Sequence, residues 1–91
     1  LVKFICNLLD KLSPKEYSYH NLIKTTDDRP GHDFRYAMDT KKISNELNWF
    51  PTTDLENGLT KTIKWYLNNR DWTEAIFNDL NYFRNRLGLN I

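Results

Sequence analysis

Pro30-Gly31 sits inside the run Asp27-Asp28-Arg29-Pro30-Gly31-His32-Asp33-Phe34-Arg35-Tyr36, and no regular element passes easily through it. Proline fixes its own φ and lacks an N–H, whereas glycine tolerates a positive φ. The pair therefore specifies a turn between two extended segments. Around that turn lie two guanidinium groups, one imidazole and three carboxylates. On spacing alone, the first reading is a solvated surface loop whose opposite charges cancel. The second is a device for presenting Arg29 and His32 to an anionic ligand, since loops carry function where elements carry packing.

On either side of the turn the pattern becomes helical. Leu1, Val2, Ile5, Leu8, Leu9 and Leu12 recur on one face, which predicts an amphipathic helix over 1–12, stopped at Ser13-Pro14. Leu22-Ile23-Lys24-Thr25-Thr26 has strand composition, and Phe34 to Met38 reads as a second short extended piece. Asp39 or Thr40 is placed to cap a short helix through Leu47, closed by Trp49-Phe50-Pro51. Thr53 with Glu56 reads as a capping box opening a helix whose apolar side is Leu55, Leu59, Ile63, Tyr66 and Leu67. Asn68-Asn69 ends it. Asp71 and Glu74 then suit the start of a last helix with the stripe Ile76, Leu80 and Phe83. Trp49, Trp65 and Trp72 are read as core, the usual place for aromatics at helical spacing.

Composition narrows the function classes. Ninety-one residues allow one small domain, and 40% hydrophobic content with 14% aromatics argues against disorder. A net charge of +1 steers the chain toward neither nucleic acid nor acidic lipid. The single Cys6 excludes an internal disulfide and a Cys-rich zinc site; among Phe4, Ile5, Leu8 and Leu9 it reads as a buried inert thiol. Two His without repeated ligand spacing give no metal site, and His20 beside Tyr19 reads as structural, at a strand edge. No apolar run is long enough for a membrane span or a signal peptide, and a cytoplasmic location is expected. Leu1 is preceded by no Met, so the chain is expected to be a fragment.

The order of motifs is more specific than the composition. Arg29-Pro30-Gly31-His32-Asp33-x-Arg35-Tyr36 is followed by Tyr36-Ala37-Met38-Asp39, Lys42-Ile43, Glu46-Leu47-Asn48-Trp49-Phe50-Pro51 and Gly58 to Leu67. From about Leu1 to Trp72 this closely resembles the C-terminal part of dTDP-glucose 4,6-dehydratases, in the extended short-chain dehydrogenase/reductase family. Arg86-Leu87-Gly88-Leu89 also looks like a tail seen in some members. Related epimerases and decarboxylases share the later helix-Trp-Pro pattern but usually lack the His-Asp pair.

The resemblance implies an α/β family fold with an NAD-binding Rossmann parent, of which this piece should be mostly α-helical with short strands. Residues 1–91 would be the C-terminal substrate-binding segment, with the nucleotide-binding domain absent and upstream. It implies an enzyme, usually homodimeric, that uses bound NAD to oxidise the sugar of dTDP-glucose at C4. The enzyme then eliminates water across C5 and C6 and returns the hydride to C6. The product, dTDP-4-keto-6-deoxyglucose, feeds deoxysugar, rhamnose and surface polysaccharide synthesis. By resemblance, Asp28, Arg29, Pro30, Gly31 and His32 line the site for the nucleotide end of the sugar nucleotide. Arg29 would reach a phosphate or the ribose side of it, and His32 would donate a hydrogen bond nearby in either protonation state. Asp28 would hold Arg29 or accept a hydroxyl. Asp33 and Arg35 match the motif but are also placed to pair with each other.

The residues for chemistry are missing from the chain. With only Gly31, Gly58 and Gly88 there is no Gly-rich dinucleotide turn. Four residues after each Tyr come Asn21, Ile23, Thr40, Arg70 and Arg86, so the family's Tyr-x-x-x-Lys pair is absent. No catalytic residue is therefore assigned, and the segment alone should be inactive. Two alternatives stand beside this reading: a piece of a related sugar-nucleotide epimerase or decarboxylase, or a small helical interaction domain without a ligand.

Overall fold

The computed structural model describes residues 1–79. Four α-helices follow one another: α1 (Val2–Leu12), α2 (Lys41–Leu47), α3 (Leu55–Asn68) and α4 (Arg70–Asn78). A 3₁₀ turn over Tyr19–Leu22 lies between α1 and α2. Helix α1 ends where the Ser13 N–H donates to the Leu9 carbonyl at 2.8 Å, one residue before Pro14. Its apolar stripe supplies Cys6 and Leu8, each 7% exposed, which with Ile63 of α3 at 8% are the buried hydrophobic residues among those described. Cys6 is thus the buried free thiol that its neighbours suggested.

A polar staple holds the 3₁₀ turn onto α1. The Asp10 carboxylate accepts from the Ser18 hydroxyl at 2.6 Å and from the Tyr19 N–H at 2.8 Å. The same hydroxyl accepts from the His20 N–H, and the Tyr19 phenol donates to the Ser13 carbonyl at 2.9 Å. His20 Nε2 meets Asn7 Oδ1 at 2.6 Å. These donors lower the Asp10 pKa from its ordinary value, the Ser18 hydroxyl more than the Tyr19 N–H. His20 is structural, as expected, but it works from a helical turn and not from a strand edge.

Helix α2 begins with Asp39 accepting from the Lys41 N–H at 3.0 Å and ends at Asn48, which takes the left-handed conformation at φ 49°. Helix α3 begins at Asp54, whose carboxylate accepts from the Asn57 N–H and from the Asn57 side-chain amide, both at 2.8 Å. The cap is therefore Asp54 and not the Thr53 of the expected box. A carboxylate at this position accepts more strongly from the first turn, where the helix end is positive. Asn69 alone joins α3 to α4, and its side chain donates to the Trp65 carbonyl at 2.7 Å. Asp71 stands in the first turn of α4 as foreseen, although no side chain caps that helix; Leu80 and Phe83 lie outside the described residues.

Two expectations are corrected. The short strands do not form among the described residues. Leu22 belongs to the 3₁₀ turn, and Ile23 and the Phe34–Met38 stretch are irregular, since an extended segment becomes a strand only when a second backbone completes its ladder. Nor are the tryptophans core: Trp49, Trp65 and Trp72 are 52, 46 and 49% exposed. Trp65 and Trp72 meet edge to face at 5.2 Å between ring centroids, and Tyr66 closes the group. These rings stack on one another at the surface of the α3–α4 corner, because no third layer covers them among the described residues. The described helices pack as α1 on the 3₁₀ turn, α1 on α3, and α3 on α4, whereas α2 packs on no other element.

Candidate functional site

The Pro-Gly turn forms where the sequence placed it. Gly31 has φ 69°, the left-handed region that a side chain resists. A Cβ there would meet nothing within 4 Å, so glycine serves the backbone angle and not a close approach. Residues 21–43 are all exposed, which leaves the turn standing clear of the helices.

Asp28 organises it. Its Oδ1 accepts from the Arg29 N–H at 2.8 Å and lies 2.6 Å from His32 Nδ1, so one carboxylate oxygen ties both ends of the turn. A carboxylate can only accept, and the Nδ1 proton must therefore point at Asp28. The His32 hydrogen bond, and after it the Arg29 N–H, lower the Asp28 pKa. Asp28 thus hydrogen-bonds the backbone of Arg29, and the guanidinium acts on the carboxylate only through its charge, as a lesser cause of the lowered pKa. Among the described residues the guanidinium makes no ion pair, and His32–Asp28 is the ion-pair contact of the segment.

The five candidate residues, Asp28, Arg29, Pro30, Gly31 and His32, share this one turn. Asp33 and Arg35 do not pair. Asp33 accepts instead from the Tyr36 phenol, which raises the Tyr36 pKa above its ordinary value. The Tyr36 contact is absent from the sequence reading; its signal was the spacing of three between a carboxylate and a phenol across a turn.

Such a turn can bind an anion but has little means to catalyse. It offers a planar cation, an oriented imidazole and a fixed backbone, without an enclosed cavity. The larger crevices lie elsewhere: about 600 Å³ beside Lys15 to Leu22, and about 460 Å³ along α2 between Met38 and Trp49. Both are lined mainly by apolar surface, and Lys15 of the first lies over the Tyr19 ring, 5.5 Å from its centre. No group of three or more His, Cys, Asp or Glu that could hold a metal occurs among the described residues, and no helix there is long and apolar enough to cross a membrane.

No family model matches the chain. Individual proteins do. A dTDP-glucose 4,6-dehydratase of Shigella flexneri is 51% identical over 76 residues, covering 84% of this chain and 21% of its own length. One from Escherichia coli is 45% identical across 98% of this chain and 25% of its own length. One from Neisseria meningitidis serogroup B is 45% identical across 97% of this chain and 26% of its own length. The chain spans about a fifth to a quarter of the length of these relatives. Identity of this order over nearly every described element leaves one conclusion: the chain belongs to the dTDP-glucose 4,6-dehydratase family, as a segment of its length.

Proposed function

We propose that this chain is the C-terminal substrate-binding segment of a dTDP-glucose 4,6-dehydratase, and that Asp28, Arg29, Pro30, Gly31 and His32 meet the nucleotide diphosphate of its substrate. One observation carries the assignment to the turn. Three aspartates share the segment with Arg29, yet its guanidinium makes a close ion pair with none of them; Asp28 is turned onto the imidazole and a backbone N–H. A planar cation held beside an oriented imidazole suits the two adjacent phosphates of a sugar nucleotide. Pro30 and Gly31 set the turn that brings the two together.

The whole enzyme would convert dTDP-glucose to dTDP-4-keto-6-deoxyglucose with bound NAD, in a cytoplasmic homodimer. The residues of this segment do not fit that cofactor. Gly58 lies inside α3, Gly31 opens no helix, and no helix among those described starts from a Gly-rich turn that could cradle a pyrophosphate. NAD and the chemical steps belong, in this reading, to the remainder of the enzyme. Titrating dTDP into the full-length protein while following the Arg29, Gly31 and His32 amide resonances tests the assignment. Shifts concentrated on that turn support it, and shifts elsewhere with none at the turn remove the turn from the site.

A further inference from the structure

The Asp28–His32 contact fixes more than a loop shape. Because the Nδ1 proton is committed to the carboxylate, the neutral imidazole has no proton on Nε2 and can only accept there. The other ring nitrogen carries a proton only in the imidazolium form. A phosphate oxygen is an acceptor, so two acceptors would face each other whenever His32 is neutral. Residues 21–43 are all exposed, and among the described residues the charged groups of the segment around His32 are Asp27, Asp28, Arg29, Asp33 and Arg35. Of these, Asp33 is turned toward Tyr36, and Asp28 makes the direct contact with the ring.

We infer that Asp28 is a positioning residue that locks the His32 tautomer, so that this histidine binds a substrate phosphate only when protonated. The inference rests on the reading of the turn as a diphosphate site. It makes sugar-nucleotide affinity proton-linked: binding draws a proton onto His32, and affinity falls as pH rises. It also reverses the ordinary expectation for removal of a neighbouring carboxylate. Without Asp28 the neutral ring is free to move its proton to Nε2 and to donate outward. The variant should bind more weakly at low pH, yet lose less affinity as pH rises.

The experiment has a ligand-free arm and a ligand arm, both on the full-length protein that carries this segment. With histidine labelled in nitrogen-15, His32 of the unliganded wild type should show the Nδ1–H tautomer above neutral pH. Asp28→Ala should move toward Nε2–H. Asp28→Asn, whose side-chain carbonyl still accepts, should keep the wild-type tautomer. In the ligand arm, dTDP-xylose is the probe: its doubly substituted diphosphate does not titrate in this range, and without a C6 hydroxyl it cannot lose water. The wild type and Asp28→Asn should weaken about tenfold between pH 5.5 and 8, the effect of one charged hydrogen bond, whereas Asp28→Ala should change little. An unchanged tautomer in Asp28→Ala, or a pH dependence there as steep as in the wild type, overturns the inference. The predicted tautomers without any ligand response at the turn would instead overturn the diphosphate reading and leave the bracing intact.

Discussion

Arg29 is the residue on which the binding reading turns. If its guanidinium forks onto phosphate oxygens, Arg29→Ala in the full-length enzyme should weaken dTDP by about 1.5–3 kcal/mol, the range for hydrogen bonds to charged groups. Arg29→Lys keeps the charge but loses the planar fork, and should recover only part of the loss. Because the diphosphate is not the reacting part of the substrate, the defect should lie mainly in KM, with kcat less affected. Equal dTDP affinity in wild type and Arg29→Ala, measured by calorimetry, would move Arg29 off the nucleotide. Gly31 offers a separate check, since Gly31→Ala forces a side chain into φ 69° at a cost of about 1–2 kcal/mol without touching any charge. It should disturb the Arg29 and His32 amide resonances together, and a variant with unchanged resonances would show that the turn tolerates the side chain. The turn itself was legible in the sequence, because Pro-Gly restricts the backbone locally. The partner of Asp28 was not: whether a carboxylate meets a guanidinium, a backbone N–H or an imidazole depends on torsions that spacing does not determine.

At the scale of elements, the helices announced themselves through periodicity and through local terminators such as Pro14 and Asn69. Their starts were legible to within a residue: Asp39, just before the α2 start, accepts from the Lys41 N–H, and the α3 cap is Asp54, one residue beyond Thr53. Strand composition at Leu22–Thr26 misled because a ladder is a property of two backbones, and composition describes one. The Asp10 staple was also invisible, since it joins residues eight and nine apart across a proline-interrupted loop. Its pH behaviour follows from the sign of the shift. The folded pKa of Asp10 is depressed, so its stabilisation is complete above the ordinary carboxylate value of about 4 and is lost as pH falls through the depressed value. The Tyr19 amide should therefore shift on acidification below about pH 4 in the wild type. In Asp10→Asn that step should vanish, and its persistence would assign the titration to another group. Ile63 tests the α1–α3 contact. In the full-length protein, Ile63→Ala should cost about 2 kcal/mol in urea unfolding followed by tryptophan fluorescence, at the low end for core aliphatics because its surroundings are thinly covered. Exposed Lys61→Ala should stay within about 0.5 kcal/mol.

For the whole molecule, the radius of gyration of 17.6 Å exceeds the roughly 12 Å of a compact chain this long. Large side chains such as Leu1, Val2, Leu47, Trp49, Phe50 and Leu55 stand exposed. Expressed alone, the segment should self-associate, which sedimentation would detect; a monomer with a sharp thermal transition would contradict this. It should also show no turnover of dTDP-glucose with added NAD. The tryptophans were misread for the same reason that the strands were, since helical spacing marks an apolar face but not what covers it. The uncovered segment from Ile23 to Thr40 has a further consequence, for proteolysis. Trypsin should cut first after Lys24 and Arg35, where extended chain can enter a protease cleft. The bond after Arg29 should survive, because Pro30 follows it. Cutting at both sites would divide the chain between the 3₁₀ turn and α2, while α1 remains packed on α3. The nicked halves should therefore migrate together on a sizing column and separate only in denaturant. A sugar nucleotide seated on the turn would delay the nick.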